Sequence, residues 1–173
     1  MANKIITSFG SGFTKPEDPY YNEVSDLGKA IAECGWTTVS GGYYGTMEAI
    51  LKGAKSTGGK TLGVTVSTWA NKPNEFIDEE VQLDNLMERI VELIGLADAY
   101  IIFKGGTGTL VEISVALELM NKKSIPEKPI YFYGDFWKGV IDILKLDSVY
   151  LKGLIERNVF FISNPEDIKK YLK

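Results

Sequence analysis

A regular alternation of short apolar runs with amphipathic helical segments is the feature that most limits what this chain can fold into. Lys4 to Phe9, Trp36 to Ser40, Thr61 to Val66, Ala99 to Phe103, Pro129 to Tyr133 and Val159 to Ile162 read as strands. Pro19 to Glu33 reads as a helix with Val24, Leu27, Ala30 and Ile31 on one face, and a second helix runs from Gly45 to Gly58-Gly59. A third begins at an Asp84 cap and runs to Gly95, a fourth covers Thr109 to Asn121, and Phe136 to Lys145 and Tyr150 to Glu156 follow. Asn164 is positioned to cap a terminal helix over Pro165 to Leu172, while Ser67 to Leu83 reads as irregular with a short strand near Phe76 to Val81. Strands alternating with helices predict a Rossmann-like three-layer α/β fold: a mostly parallel central sheet with helices on both faces. The 173 residues suit one domain, 1–173, and 45% of them are hydrophobic, enough to build a core without staples.

What is missing narrows the chemistry. There is no histidine, so a Ser-His-Asp triad, a Cys-His dyad, an HExxH zinc site and a histidine general base are all excluded. Cys34 is the sole cysteine, which rules out an intrachain disulfide and a cysteine metal cluster. No metal site and no bound cofactor are expected. The net charge of −4 carries no basic footprint for DNA or RNA, so no nucleic-acid partner is expected. No apolar run reaches the roughly 18 residues of a membrane span, and the start, MANKIITSF, lacks the layout of a signal peptide. The expectation is a cytoplasmic protein with no membrane partner.

In parallel sheets of this kind ligands bind beyond the carboxyl ends of the strands. Three glycine turns fall there: FGSGFT, SGGYYG and KGGTGT. Glycines let backbone N–H groups approach an anion, and a following helix adds its positive end. Gly105, Gly106, Thr107, Gly108 and Thr109 therefore form a candidate phosphate cradle. A dinucleotide fingerprint is not met, because Gly10-Ser11-Gly12 lacks the third glycine and the next strand ends in Ser40 instead of an acid. No P-loop pattern is present either, so NAD and ATP are disfavoured.

Two charged residues lie near the cradle. Glu112 completes Thr109-Leu110-Val111-Glu112, which reads equally well as a capping box or as a functional carboxylate. Arg89 is flanked by Glu88 and Glu92, and on the residues alone a surface i,i+3 pair with Glu92 is the simpler reading. Lys104 at the edge of the cradle is placed either to meet a phosphate or to stay solvated. Trp69 and Phe76 are aromatic residues that can stack on a base or pack in the core. The helix 109–121 is apolar on almost every side, which predicts a homodimer or higher oligomer, with the helix around Arg89 joining the interface.

The stretch NLMERIVELIGLADAYIIFKGGTGTLVE, Asn85 to Glu112, resembles the Lonely Guy family of cytokinin-activating phosphoribohydrolases, often mislabelled as lysine decarboxylases. That family is marked by a Met-x-x-Arg helix, an Ala-Asp-Ala strand start and a P-G-G-x-G-T-x-x-E motif. FGSG and SGGYYGTMEA resemble its first two turns, and the likeness runs from Lys4 to Tyr133. The same scaffold includes molybdenum-cofactor carrier proteins, to which Met47-Glu48-Ala49 is similar. The resemblance implies hydrolysis of the N-glycosidic bond of a nucleoside 5′-monophosphate, AMP or a cytokinin riboside monophosphate, to free base and ribose 5-phosphate. It implies Arg89 and Glu112 as the catalytic pair; the place of Glu112 near a helix N-terminus favours its ionised form. Gly10, Ser11, Gly41, Gly42 and Met87 are the further candidate ligand contacts. The chain departs from the family at Ile90, where it has Lys, at Lys104, where it has Pro, and at Ser40, where its second turn has a third Gly. The alternative is a non-catalytic carrier or sensor of a phosphorylated ligand. Lysine decarboxylation would need a Schiff-base lysine, and no lysine is marked for that role by its context.

Overall fold

The computed structural model describes residues 4–173; the first three residues of the start discussed above lie outside it. Seven strands form one sheet: β1 (Ile5–Phe9), β2 (Thr37–Ser40), β3 (Thr61–Val66), β4 (Glu79–Leu83), β5 (Ala99–Ile102), β6 (Ile130–Tyr133) and β7 (Val159–Ile162). Every pairing is parallel, in the order β4-β3-β2-β1-β5-β6-β7. The expected "mostly parallel" sheet is thus wholly parallel. The irregular stretch resolves into a loop over 67–78 and the edge strand β4, whose start lies three residues beyond the anticipated Phe76.

Alternate residues of each strand feed opposite faces, as the pleat requires. On one face Ile6, Ala99, Ile101 and Tyr131 pack against α1 (Pro19–Glu33) and α2 (Thr46–Ser56). On the other, Phe9, Val39, Val64, Tyr100, Ile102 and Phe132 pack against α3 (Leu86–Leu96), α4 (Thr107–Asn121), α5 (Lys138–Leu144) and α6 (Val149–Asn158). The chain closes on a 3-10 helix, Pro165–Lys170, capped by Asn164. This is the three-layer Rossmann-like arrangement. Among the described residues no helix is long and apolar enough to cross a membrane.

Two helix starts differ from expectation, and both matter for the site. Asn85, not Asp84, caps α3: its backbone is extended and its side chain accepts from the N–H groups of Met87 and Glu88. Helix α4 begins two residues early, with Gly106 as its cap. Thr109 is therefore its third residue and Glu112 its sixth. A capping box needs its Thr at the cap and its Glu three residues on, so that reading of Glu112 does not hold.

Topology sets where the site lies. The chain winds outward from β1 to β4, then returns through α3 to β5 on the other side of β1. The strand order reverses beside β1, and the crevice at such a reversal is where open α/β sheets bind ligands.

Candidate functional site

The three glycine turns follow β1, β2 and β5 and are bonded to one another at the reversal. Ser11 N–H donates to the Lys104 carbonyl at 3.0 Å, joining the first turn to the third. The Ser11 carbonyl accepts from Thr46 N–H at 2.9 Å and from Thr46 Oγ1 at 3.1 Å, joining the first turn to the start of α2. Glycines in the first two turns serve this packing. A Cβ at Gly10 would stand 2.4 Å from Thr46 Oγ1, and Gly42 has φ +75° beside Thr65. Ser40, where the family has glycine, donates through Oγ to the Met47 carbonyl at 3.1 Å and accepts from Gly42 N–H at 3.1 Å, fixing the second turn.

The third turn differs. A Cβ at Gly105 would strike Thr109 Oγ1 at 2.1 Å, but Cβ atoms at Gly106 and Gly108 would meet nothing within 4 Å. The space in front of the α4 N-terminus is open. The leading N–H groups of a helix have no partner within it, and the first intrahelical bond here is from Leu110 N–H to the Gly106 carbonyl. Thr107, Gly108 and Thr109 therefore present a positive helix end to an open cleft, the arrangement that suits an anion.

That cleft encloses about 450 Å³. Of the anticipated residues, Gly10, Met87, Arg89, Thr107, Gly108, Thr109 and Glu112 line it. Ser11, Gly41, Gly42 and Gly105 are not part of its lining and pack within the turns, while Gly106, also outside the lining, is exposed at the open end of α4. Tyr43, Met47, Leu86, Ile90 and Val111 also line it and were not anticipated. They carry no polar signature, and only the loop and helix placement brings them to the opening. Trp69 lines the cleft, whereas Phe76 packs against the α1/α2 layer. Lys104 neither faces the cleft nor stands free in solvent: its ammonium lies over the Tyr20 ring, 3.7 Å from the centroid.

Arg89 is not the surface ion pair that its neighbours suggest. It is 5% exposed, and no salt bridge to it occurs among the described residues. Its Nε donates to the Val64 carbonyl at 2.7 Å and its Nη2 to the Gly41 carbonyl at 3.0 Å. The guanidinium sits 5.5 Å from the Tyr43 ring centroid and 5.4 Å from that of Trp69. A Cβ at Gly41 would fall 1.7 Å from Nη2, so a side chain there would have to displace the guanidinium. Burial lowers the guanidinium pKa, and the charge of Glu112 opposes that shift. A buried cation with two neutral acceptors and no paired carboxylate is poised for an anionic partner.

Glu112 is half-buried, and desolvation raises its carboxyl to about 7, with the Arg89 charge holding it back. The ionised form that the helix N-terminus was expected to favour is thus opposed: removal from water outweighs the attraction of the Arg89 cation. A carboxyl poised near neutrality in a cleft beside an open helix N-terminus is the type of group that acid–base work uses. Among the described residues no three His, Cys, Asp or Glu side chains gather as metal ligands.

The SLOG cluster4 family model matches residues 3–128. An uncharacterised protein of Archaeoglobus fulgidus is 32% identical over 118 residues, covering 68% of this chain and 78% of that one. A cytokinin riboside 5′-monophosphate phosphoribohydrolase of Mycobacterium tuberculosis is 35% identical over 92 residues, 51% of this chain and 49% of that one. The match thus spans about half the length of that enzyme. The solved structure of a molybdenum cofactor binding protein from Rippkaea orientalis superposes with a TM-score of 0.75 at 25% identity, covering 99% of this chain and 96% of that one. The wholly parallel Rossmann-like sheet, the cleft at its strand reversal and these likenesses agree: the chain belongs to the SLOG cluster4 family, within the Lonely Guy and lysine decarboxylase-like superfamily.

Proposed function

We propose that this chain hydrolyses the N-glycosidic bond of a nucleoside 5′-monophosphate, AMP or a cytokinin riboside monophosphate, releasing free base and ribose 5-phosphate. The observation that carries the reading is the convergence of Arg89 and Glu112 on one cleft beside the open N-terminus of α4. The mycobacterial phosphoribohydrolase supports it from sequence. In this proposal the 5′-phosphate rests on the N–H groups of the Gly105 to Thr109 turn, which anchors the ribose. The bond from C1′ to the base nitrogen breaks through an oxocarbenium-like transition state, as in glycoside hydrolysis. The Glu112 carboxylate offsets the positive charge at C1′ and takes a proton from the incoming water, whose oxygen bonds to C1′. Arg89, held at Nε and Nη2, has no hydrogen-bond partner at Nη1 among the described residues and directs it at the phosphate or the departing base. The base leaves with a proton from solvent. Remote phosphate binding is what orients the reacting centre. We place the active form as a homodimer of a single domain in the cytoplasm.

The molybdenum cofactor binding protein favours a second reading, because it aligns with nearly the whole chain where the hydrolase aligns with half. In that reading the cleft carries a phosphorylated ligand unchanged. Incubation with AMP and a series of purine riboside monophosphates, followed by chromatography for free base, separates the two. Stoichiometric release of base and ribose 5-phosphate is expected; tight binding with no release would establish the carrier.

A further inference from the structure

Two buried polar side chains that the proposed reaction leaves unused meet at the second glycine turn. Ser40 and Asn74 are 0% and 8% exposed, and neither lines the cleft. A buried polar group is costly unless it is bonded, and both are fully engaged. Ser40 Oγ accepts from Gly42 N–H at 3.1 Å and donates to the Met47 carbonyl at 3.1 Å. Asn74 donates through N–H to the Gly42 carbonyl at 2.9 Å and through Nδ2 to the Tyr43 carbonyl at 2.7 Å. Its Oδ1 accepts from Phe76 N–H at 3.0 Å. Three successive carbonyls of the turn thus receive donors from outside it: Gly41 from Arg89 Nη2, and Gly42 and Tyr43 from Asn74.

The turn cannot set those directions by itself. Gly41 and Gly42 lack the Cβ that would confine their backbones. The Gly41 carbonyl and the Gly42 N–H belong to one peptide unit, and in a planar trans peptide the two point in opposite directions. Ser40 Oγ holds the N–H on one side, so the carbonyl is turned to the other, onto Arg89 Nη2 at 3.0 Å. Asn74 holds the next two peptide units in series. Ile77, from the same loop as Asn74, closes the space over Gly42, where a Cβ would fall 3.1 Å from its Cδ1. The clamp also carries Tyr43, whose ring centroid lies 5.5 Å from the guanidinium and whose hydroxyl accepts from Val66 N–H at 2.9 Å.

We infer that Ser40 and Asn74 are positioning residues for Arg89: they orient the Gly41 carbonyl, and that carbonyl fixes the guanidinium that faces the cleft. The inference rests on the reading above that Arg89 meets an anionic ligand, which neither Ser40 nor Asn74 touches. A guanidinium anchored at both Nε and Nη2 presents its remaining donors in one direction. With the Gly41 anchor loose it takes several orientations, and affinity falls with the fraction that is competent.

The test uses two variants of the full chain, each shown to be folded by circular dichroism. Ser40→Ala removes the hydroxyl. Asn74→Asp keeps the shape and the Oδ1 acceptor but has no donor for the Tyr43 carbonyl. Isotope-edited NMR of the ligand-free protein reads the Arg89 guanidinium, assigned by its loss in Arg89→Ala. Restrained Nη2 protons are expected in the wild type, and averaged, freely rotating ones in both variants. Calorimetry with AMP, in a Glu112→Gln background that slows turnover, is the second readout. Each variant is expected to bind AMP about tenfold more weakly, the scale of one hydrogen bond from a charged donor. With Arg89→Ala added, the same two changes are expected to alter affinity by less than about twofold, because no guanidinium is left to place. Nη2 signals unchanged in the variants would overturn the inference, as would losses of AMP affinity that are equal with and without Arg89. If no form of the chain binds AMP, the function proposed above falls, and the NMR signals decide this inference by themselves. Binding in the expected pattern by a wild type that releases no base would support the inference and contradict hydrolysis alone.

Discussion

Arg89 and Glu112 face one cleft from neighbouring helices and sense each other's charge, yet they do not close into a salt bridge. The arginine is held by the Val64 and Gly41 carbonyls instead, and the carboxyl is left with burial as its main influence. A closed pair would be a structural strut. An open one keeps an unpaired cation and a near-neutral acid on either side of a space that a ligand can enter.

The raised carboxyl makes stability depend on pH. Glu112 titrates at about 7 in the folded chain and near 4.3 when unfolded. Between those values the folded state holds more protons, so stability falls as pH rises from about 4.3 to about 7 and then levels. Glu112→Gln removes this contribution. Urea unfolding should find this variant more stable than its parent at pH 8 by about 1–3 kcal/mol, and little changed at pH 4.5. Equal stabilities at both pH values would show that the carboxyl is not desolvated.

Arg89 has a structural share as well. Arg89→Ala leaves the Val64 and Gly41 carbonyls without their donor and should cost about 1–3 kcal/mol. Gly41→Ala drives a methyl group into Nη2 and should displace the guanidinium. The expected outcome for Gly41→Ala is a loss of nucleotide binding comparable with that of Arg89→Ala, read by calorimetry on protein shown to be folded by circular dichroism. Unchanged binding in the glycine variant would argue that the position of Arg89 is unimportant.

Helix α4 buries Ile113, Ala116, Leu117 and Met120 yet also exposes Leu110 and Val111, 36% and 41%, and Val91 of α3 is 58% exposed. An outer face this apolar is suited to a second copy. Sedimentation should give twice the chain mass of 19.2 kDa at micromolar concentration, and Val91→Asp should shift it to the single-chain value. A wild type that sediments as one chain would count against the dimer.

Much of this was legible in the sequence because it depends on periodicity. Alternating strand residues and helical stripes give the layers, and glycines at strand ends mark the crevice. What could not be read was local competition. Asn85 and Asp84 are both good caps, and backbone geometry chose between them. Gly106 started α4 early, which turned Glu112 from a cap into a cleft residue. Arg89, flanked by Glu88 and Glu92, looks like a surface residue until α3 is laid over β3, where the Val64 carbonyl lies within reach. Trp69 sits in an irregular loop with no period to follow, so only the folded chain shows that Asn74 pins that loop beside the cleft.

The central claim is that Glu112, as a carboxylate, drives cleavage of a nucleoside monophosphate, and its most direct test is ribose 5-phosphate release from AMP across pH 5 to 9. The wild type is expected to show kcat/KM rising with pH and levelling above about 7, where Glu112 ionises. Glu112→Gln should be slower by two orders of magnitude or more, roughly 3 kcal/mol of barrier, while remaining folded. Release from Glu112→Gln at the wild-type rate and with the same pH profile, or no release from the folded wild type at any pH, would contradict the account.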